Sequence, residues 1–172
     1  MNITKNFLPL DSYNFLKKEF HSHTFPWYFN EYSVSPDTQF QFTHNFFDIT
    51  DNHDGNVEDK KMSFQKREGI PLLGPILRAL NPERIIRIKL NLNTQTSSII
   101  ETGMHIDYED DRFLSSVLFF NTCDGYIKIK NNDKIYSEDN KLVTFKSNLP
   151  HTGSTTSNEK RRIVLNLIYL PK

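Results

Sequence analysis

Cysteine is almost absent: the 172 residues contain one, Cys123. A single thiol excludes an internal disulfide and cannot by itself build a structural zinc site, so a reducing, cytoplasmic setting is expected, the host cytoplasm if the source is viral. Long apolar runs are missing too. None approaches the roughly 20 residues needed to cross a bilayer, and the opening Met-Asn-Ile-Thr-Lys-Asn lacks a basic segment leading into a hydrophobic stretch and a cleavage site. Neither secretion nor a membrane partner is expected. Charge of one sign is not in excess, because 21 Lys and Arg balance 21 Asp and Glu. That balance removes the broad positive field that non-specific nucleic-acid binding needs, so no nucleic-acid partner is expected. No internal repeat and no Pro/Gly/Ser linker divides the chain, and residues 1–172 are read as one domain, long enough to bury roughly 70% of its unfolded surface.

What is present falls into two stretches. In residues 1–83, Tyr13, Phe15, Leu16 and Phe20 suit an amphipathic helix over 10–20, with Asp11 or Ser12 placed to cap it. An aromatic stretch at 25–29 reads as extended, Phe40, Phe42, Phe46 and Phe47 suggest further strand, and 71–80 reads as a helix ended near Asn81-Pro82. Residues 50–69 are polar and read as a long mobile loop, of the kind that often covers a site. From residue 84 the period changes to two. Ile86, Ile88, Leu90 and Leu92 alternate with Arg87, Lys89, Asn91 and Asn93, which marks a strand with one buried face. Short strands are predicted over 103–108, 113–121, 126–130, 141–145 and 162–170, separated by turn compositions. The fold expected is mostly β with N-terminal helices, an α+β chain whose residues 84–172 form a sandwich or jelly-roll barrel.

Of six histidines only His105 has an acid two positions on, in His105-Ile106-Asp107. On a strand both side chains leave one face and can grip one ion, while Ile106 points the other way into apolar packing. One imidazole and one carboxylate suit a divalent ion such as Fe(II), and a third ligand from a neighbouring strand completes a facial triad with open positions. His151, following a predicted strand end and turn at 145–150, is the natural third. A lone His-x-Asp is a weak signal; the order and spacing of further features strengthens it. The last strand opens with Arg161-Arg162, and a guanidinium entering a barrel is costly to bury unless it meets an anion. A dicarboxylate cosubstrate provides one, chelating the metal at one end and taking the arginine at the other. Asn91, Asn93 and Asn166 are polar candidates on the flanking strands. His21, His23, His44 and His53 are read as ordinary packing or surface histidines, and Glu109, Asp110 and Asp111 as a solvated acidic loop beside the site.

Over residues 84–170 the pattern resembles the Fe(II)- and 2-oxoglutarate-dependent oxygenases, in particular their prolyl 4-hydroxylase-like branch in its small phage or bacterial form. The resemblance is carried by Met104-His105-Ile106-Asp107, by Leu114-Ser115-Ser116-Val117-Leu118-Phe119-Phe120-Asn121 where the family has a strand ending in Tyr-Leu-Asn, and by Asp124-Gly125-Tyr126-Ile127. Phe145-Lys146-Ser147-Asn148-Leu149-Pro150-His151 and the basic opening of the last strand complete it. It implies a double-stranded β-helix, metal ligands at His105, Asp107 and His151, and a 2-oxoglutarate arginine at Arg162, with Arg161 the other candidate. Asn91 and Asn166 are expected to contact the cosubstrate or substrate. The implied reaction is hydroxylation of an unactivated C–H bond with O2 as cosubstrate, on a prolyl residue of a peptide or protein or on a small molecule. Three features depart from the family: Phe119 stands where a tyrosine is common, the His151-to-Arg162 spacing of 11 is long, and residues 94–102 lack the usual Tyr-Pro-Gly form. Two rival readings are a cupin-like metalloenzyme that does not use 2-oxoglutarate and a non-catalytic jelly-roll binding or structural protein.

Overall fold

The alternation after Asn81 produces the longest strand of the computed structural model, which describes residues 1–36, 38–49, 70–130 and 133–172. In chain order the elements are β1 (Asn2–Thr4), α1 (Leu10–His21), β2 (Tyr28–Asn30), β3 (Gln41–Asp48), and a 3-10 turn (Pro71–Leu73) running into α2 (Gly74–Leu80). Then follow β4 (Pro82–Thr94), β5 (Leu114–Phe119), β6 (Tyr126–Ile129), β7 (Ile135–Tyr136), β8 (Leu142–Lys146), β9 (His151–Gly153) and β10 (Arg161–Pro171). The loop expected at 50–69 lies outside the described residues.

Seven strands pair antiparallel in the order β1-β8-β5-β10-β4-β3-β2, and β7-β6-β9 make a second, smaller sheet. The two sheets give a mostly β, double-stranded β-helix architecture, although the large sheet does not close into the barrel that the sequence suggested. Long pairing of β4 with β10, from Arg161↔Thr94 to Pro171↔Pro82, forms the spine.

Each face of that spine has a different task. Ile88, Leu90 and Leu92 of β4 and Ile163, Leu165 and Leu167 of β10 face α1 and α2 in the main core. Helix α1 contributes Tyr13, Leu16 and Phe20, spaced three and four apart so that they share one stripe. Each such fully buried side chain contributes about 1.5–3 kcal/mol of burial free energy. Phe15, expected on that stripe, lies two residues from Tyr13 and is turned to solvent at 52% exposure. The helix begins after Pro9 with no side-chain cap, so Asp11 and Ser12 are not caps; Asp11 in the first turn and Lys18 in the last complement the helix dipole instead. Asn81 ends α2 in the left-handed conformation at φ 47°.

On the opposite face, Val117, Phe119, Val143, Phe145 and Val164 pack against Ile127, Ile129 and Ile135 of the small sheet. The same face carries Arg87, Lys89, Asn91 and Asn93, which line a cavity instead of an apolar core. Two bulges lie beside Arg87: the register of β3 on β4 slips between Asn45 and Phe47, and that of β10 on β4 slips between Ile168 and Tyr169. The second slip leaves Ile86 as an extra residue. Ile86 therefore joins Phe113 and Ile168 in a separate cluster, and Ile85 packs against the main core in its place.

Candidate metal centre and the pocket behind it

The segment 103–108 is not the strand its sequence predicts. Only His105 is paired, through reciprocal backbone bonds with His151 at 2.9 and 2.8 Å, and Gly103 takes a positive φ of 89° that a strand excludes. The chain then turns so that the Asp107 amide donates to the Ser147 carbonyl at 3.0 Å. Ile106, expected in apolar packing, is 42% exposed. His151 opens the short strand β9, so the bridge fixes the two histidine backbones directly against each other.

This arrangement brings His105, Asp107 and His151 together, with one ligand atom from each within 4.8 Å of the others. The Nε2 atoms of His105 and His151 lie 4.0 and 3.5 Å from the two carboxylate oxygens of Asp107. Each imidazole has its other nitrogen engaged: Nδ1 of His105 donates to the Gly103 carbonyl at 3.1 Å, and Nδ1 of His151 to the Leu149 carbonyl at 3.0 Å. A proton held on Nδ1 leaves the Nε2 lone pair for a ligand, the tautomer a metal-binding histidine needs. Burial and the neighbouring His151 lower the pKa of His105, which keeps that lone pair unprotonated near neutral pH. Burial pushes the Asp107 carboxyl up, but Arg87, His151 and the Ser115 hydroxyl outweigh it and hold the group below its ordinary value. Two imidazole nitrogens and one carboxylate form a donor set suited to Fe(II) and similar divalent ions.

Two partners of Asp107 were not singled out by sequence reasoning. Arg87 donates from Nη2 to one carboxylate oxygen at 2.6 Å, and Ser115 donates to the other at 2.6 Å. The alternation of β4 already placed Arg87 on the polar face with Asn91 and Asn93; an arginine there reads as solvated until the bulge beside it is known.

Of the two arginines opening β10, Arg162 is 2% exposed and lines the cavity, while Arg161 is directed to the other face and donates to the His21 carbonyl. Arg162 donates from Nε to Ser137 Oγ at 2.7 Å and from Nη1 to the Ser154 carbonyl at 3.2 Å, and it stacks on Phe119 at 5.5 Å. No carboxylate among the described residues lies within ion-pair distance of it. Burial lowers its pKa to about 10, so it remains a cation at neutral pH. A side chain at Gly125 would sit 2.5 Å from Arg162 Cδ and 2.7 Å from the Thr155 carbonyl oxygen, so only glycine lets the arginine pass. A buried guanidinium with hydrogen bonds but no counter-ion fits a carboxylate-bearing ligand.

Asn91, Asn93 and Asn166 also line the cavity, and the Oδ1 atom of each is buried without a hydrogen-bond partner. Other sequence candidates take no part. His21 and His44 bond the backbone carbonyls of Phe120 and Pro26, and His53 falls outside the described residues. In the acidic loop, Asp110 pairs with Arg112 and Asp111 with Lys146. Phe119 and Phe145 stand behind the site, the Phe145 ring 4.8 Å from that of His151, whereas Phe120 and Trp27 pack in or against the main core on the far side of the sheet.

No protein-family model matches the sequence, and no curated protein is detectably similar to it. Solved structures do resemble the fold. The non-heme α-ketoglutarate-dependent carbocyclase SnoK of nogalamycin biosynthesis superposes at a TM-score of 0.65 with 10% identity, covering 98% of this chain and 78% of that one. A prolyl-4-hydroxylase from Pseudomonas putida gives 0.60 with 17% identity over 99% and 92% of the two chains. A prolyl hydroxylase from Trichoplax adhaerens, bound to a peptide fragment of hypoxia inducible factor, gives 0.60 with 14% identity over 99% and 83%. At these identities the likeness defines the fold, the double-stranded β-helix, and function rests on the residues of the site.

Proposed function

We propose that this chain is an Fe(II)- and 2-oxoglutarate-dependent dioxygenase that hydroxylates an unactivated C–H bond, with a prolyl residue of a peptide or protein as its substrate. One observation carries the reading: His105, Asp107 and His151 converge beside a cavity that also holds the buried, uncompensated Arg162. The prolyl hydroxylases among the structural neighbours, one in complex with a peptide, support the choice of substrate.

On this reading Nε2 of His105, Nε2 of His151 and the Asp107 carboxylate hold Fe(II), and Arg162 holds the distal carboxylate of 2-oxoglutarate. When bound, the pair supplies the activation of O2 that oxidises the substrate C–H bond as 2-oxoglutarate is converted to succinate and CO2. The protein groups supply geometry, charge and exclusion of water. Arg87 and Ser115 fix the rotation of the Asp107 carboxylate, and the two histidine Nδ1 bonds fix the ring planes. Val117, Ile127 and Val164 give the cavity an apolar wall beside Arg162, and Phe119 underlies the guanidinium. No side-chain general base is required.

The test is succinate release from 2-oxoglutarate under air with Fe(II), alone and with a panel of proline-containing peptides. Succinate is expected from the wild type, stimulated by the correct peptide, and lost in His105→Ala and Arg162→Ala. Turnover that survives Arg162→Ala would point to the metalloenzyme that does not use 2-oxoglutarate. No turnover and no ferrous-ion affinity would point to a binding protein.

A further inference from the structure

The charge on the cavity wall is not balanced by the groups assigned so far. Three cationic side chains line it, Arg87, Lys89 and Arg162, against the single carboxylate of Asp107. A divalent metal and the 2-oxoglutarate dianion cancel each other, and Lys89 has interactions of its own, so Arg87 and Arg162 against Asp107 leave one surplus positive charge in the loaded cavity. The acidic loop beside the site does not supply the missing anion, because Asp110 and Asp111 are engaged with Arg112 and Lys146 and Glu109 does not line the cavity.

The surplus coincides with unsatisfied polar atoms. Arg87 spends Nη2 on Asp107, while its buried Nε has no partner, and the Oδ1 atoms of Asn91 and Asn166 are likewise buried and alone. Cross-strand register sets Asn166 opposite Lys89 and Asn91 opposite Val164, which makes the two amides diagonal neighbours on the face that Arg87 also occupies. An amide oxygen needs a donor, which a carboxylate does not offer; turned over, each amide presents its Nδ2 N–H at that buried position instead. A neutral apolar ring placed here would leave these groups dry and unbonded, whereas a carboxylate accepts from Arg87 Nε and from the turned amides of Asn91 and Asn166 and also removes the surplus charge.

We propose that Arg87, Asn91 and Asn166 form a subsite for a carboxylate carried by the substrate itself. The inference rests on the oxygenase reading and narrows it. The residue hydroxylated is presented either with its own free α-carboxylate, as a free amino acid or a C-terminal residue, or beside an acidic side chain in a longer peptide.

The experiment measures binding by calorimetry to the full chain loaded with Mn(II) and 2-oxoglutarate, under nitrogen, using matched carboxylate and carboxamide probes. The pairs are acetate and acetamide, L-proline and L-prolinamide, a peptide ending in Pro with a free or amidated C-terminus, and an internal Pro-Glu against Pro-Gln. The carboxylate member of at least one pair is expected to bind about tenfold or more tightly than its amide. Which pair shows the preference identifies the source of the carboxylate. Arg87→Met is expected to abolish the preference; because Arg87 also holds Asp107, the double variant Asn91→Leu/Asn166→Leu serves as the second arm and is expected to reduce it while Mn(II) binding persists. Equal binding within every pair, no binding by any carboxylate, or a preference untouched in both variants overturns the subsite. Mn(II) and 2-oxoglutarate binding are titrated first. Their failure would overturn the oxygenase reading itself, a result distinct from intact cofactor binding without carboxylate preference.

Discussion

Arg87 and Asp107 meet at 2.6 Å with the Asp107 side chain only 1% exposed, and this contact decides how the site behaves when empty. A buried carboxylate left without its cation is strongly penalised. Arg87→Met is therefore expected to destabilise the metal-free protein by about 2–4 kcal/mol, since Ser115 still donates to the other oxygen. Urea unfolding with and without divalent metal checks it: the ion should rescue the variant more than it stabilises the wild type, because it replaces the lost positive charge. Gly125 makes a second claim at this scale. Gly125→Ala places a methyl where Arg162 Cδ and the Thr155 carbonyl already stand, so the guanidinium must move. We expect a cost of about 1–3 kcal/mol and weaker 2-oxoglutarate binding at unchanged metal affinity.

At the scale of elements, the β-bulge at Ile86 separates what an alternating pattern reveals from what it conceals. Ile88, Leu90 and Leu92 face the core as their period says, but Ile86 belongs with Phe113 and Ile168 beside the loop that carries Asp107. Leu16→Ala in α1 and Ile86→Ala in β4 should both cost about 2–4 kcal/mol. Only Ile86→Ala should also weaken metal binding, because its neighbour Arg87 rides on the bulge; equal metal affinity in the two variants would contradict this. The long elements α1, β4 and β10 were legible because each repeats its period several times. β1, β7 and β9 have three, two and three residues, too few to show a period, and His151 was expected just past a turn and not on a strand. The predicted strand at 103–108 failed for a related reason: His105 and Asp107 converge through one bridge and a turn held by Ser147, contacts that only the folded chain supplies. His105, Asp107, His151 and Arg162 were nonetheless named from type and order, whereas Arg87, Ser115, Ser137 and Ser154 had no local signature.

The turn around Asp124 links the small sheet to the start of β10. Asp124 accepts hydrogen bonds from Thr156 Oγ1, from the Ser157 hydroxyl and from the Ser157 amide, and so holds the segment whose Ser154 carbonyl receives Arg162. Burial opposes its ionisation, but these donors outweigh it and hold its pKa to about 2. A depressed carboxyl pKa stabilises above the unfolded value of 3.8 and loses that contribution as pH falls toward 2. Asp124→Asn should therefore lower Tm at neutral pH, and the gap to wild type should narrow between about pH 4 and pH 2.

For the whole molecule, one sheet separates an apolar core under the helices from a polar floor under the small sheet, and the site occupies that floor. The metal-free protein should respond to acid accordingly. Both His105 and Asp107 are held below their ordinary pKa values, so the unfolded chain binds more protons than the folded one across each window. Stability of the metal-free protein should fall as pH drops below about 6.5, through His105, and again below about 4, through Asp107. A bound divalent ion, competing with those protons, should steepen the dependence.

The most direct test of the central claim is an anaerobic Fe(II) titration of the wild type and of His105→Ala, Asp107→Ala and His151→Ala, each shown to be folded by circular dichroism. The account predicts one ion per wild-type chain and at least a tenfold loss of affinity in every variant. Wild-type protein that binds no iron, or variants that bind it as the wild type does, would contradict it.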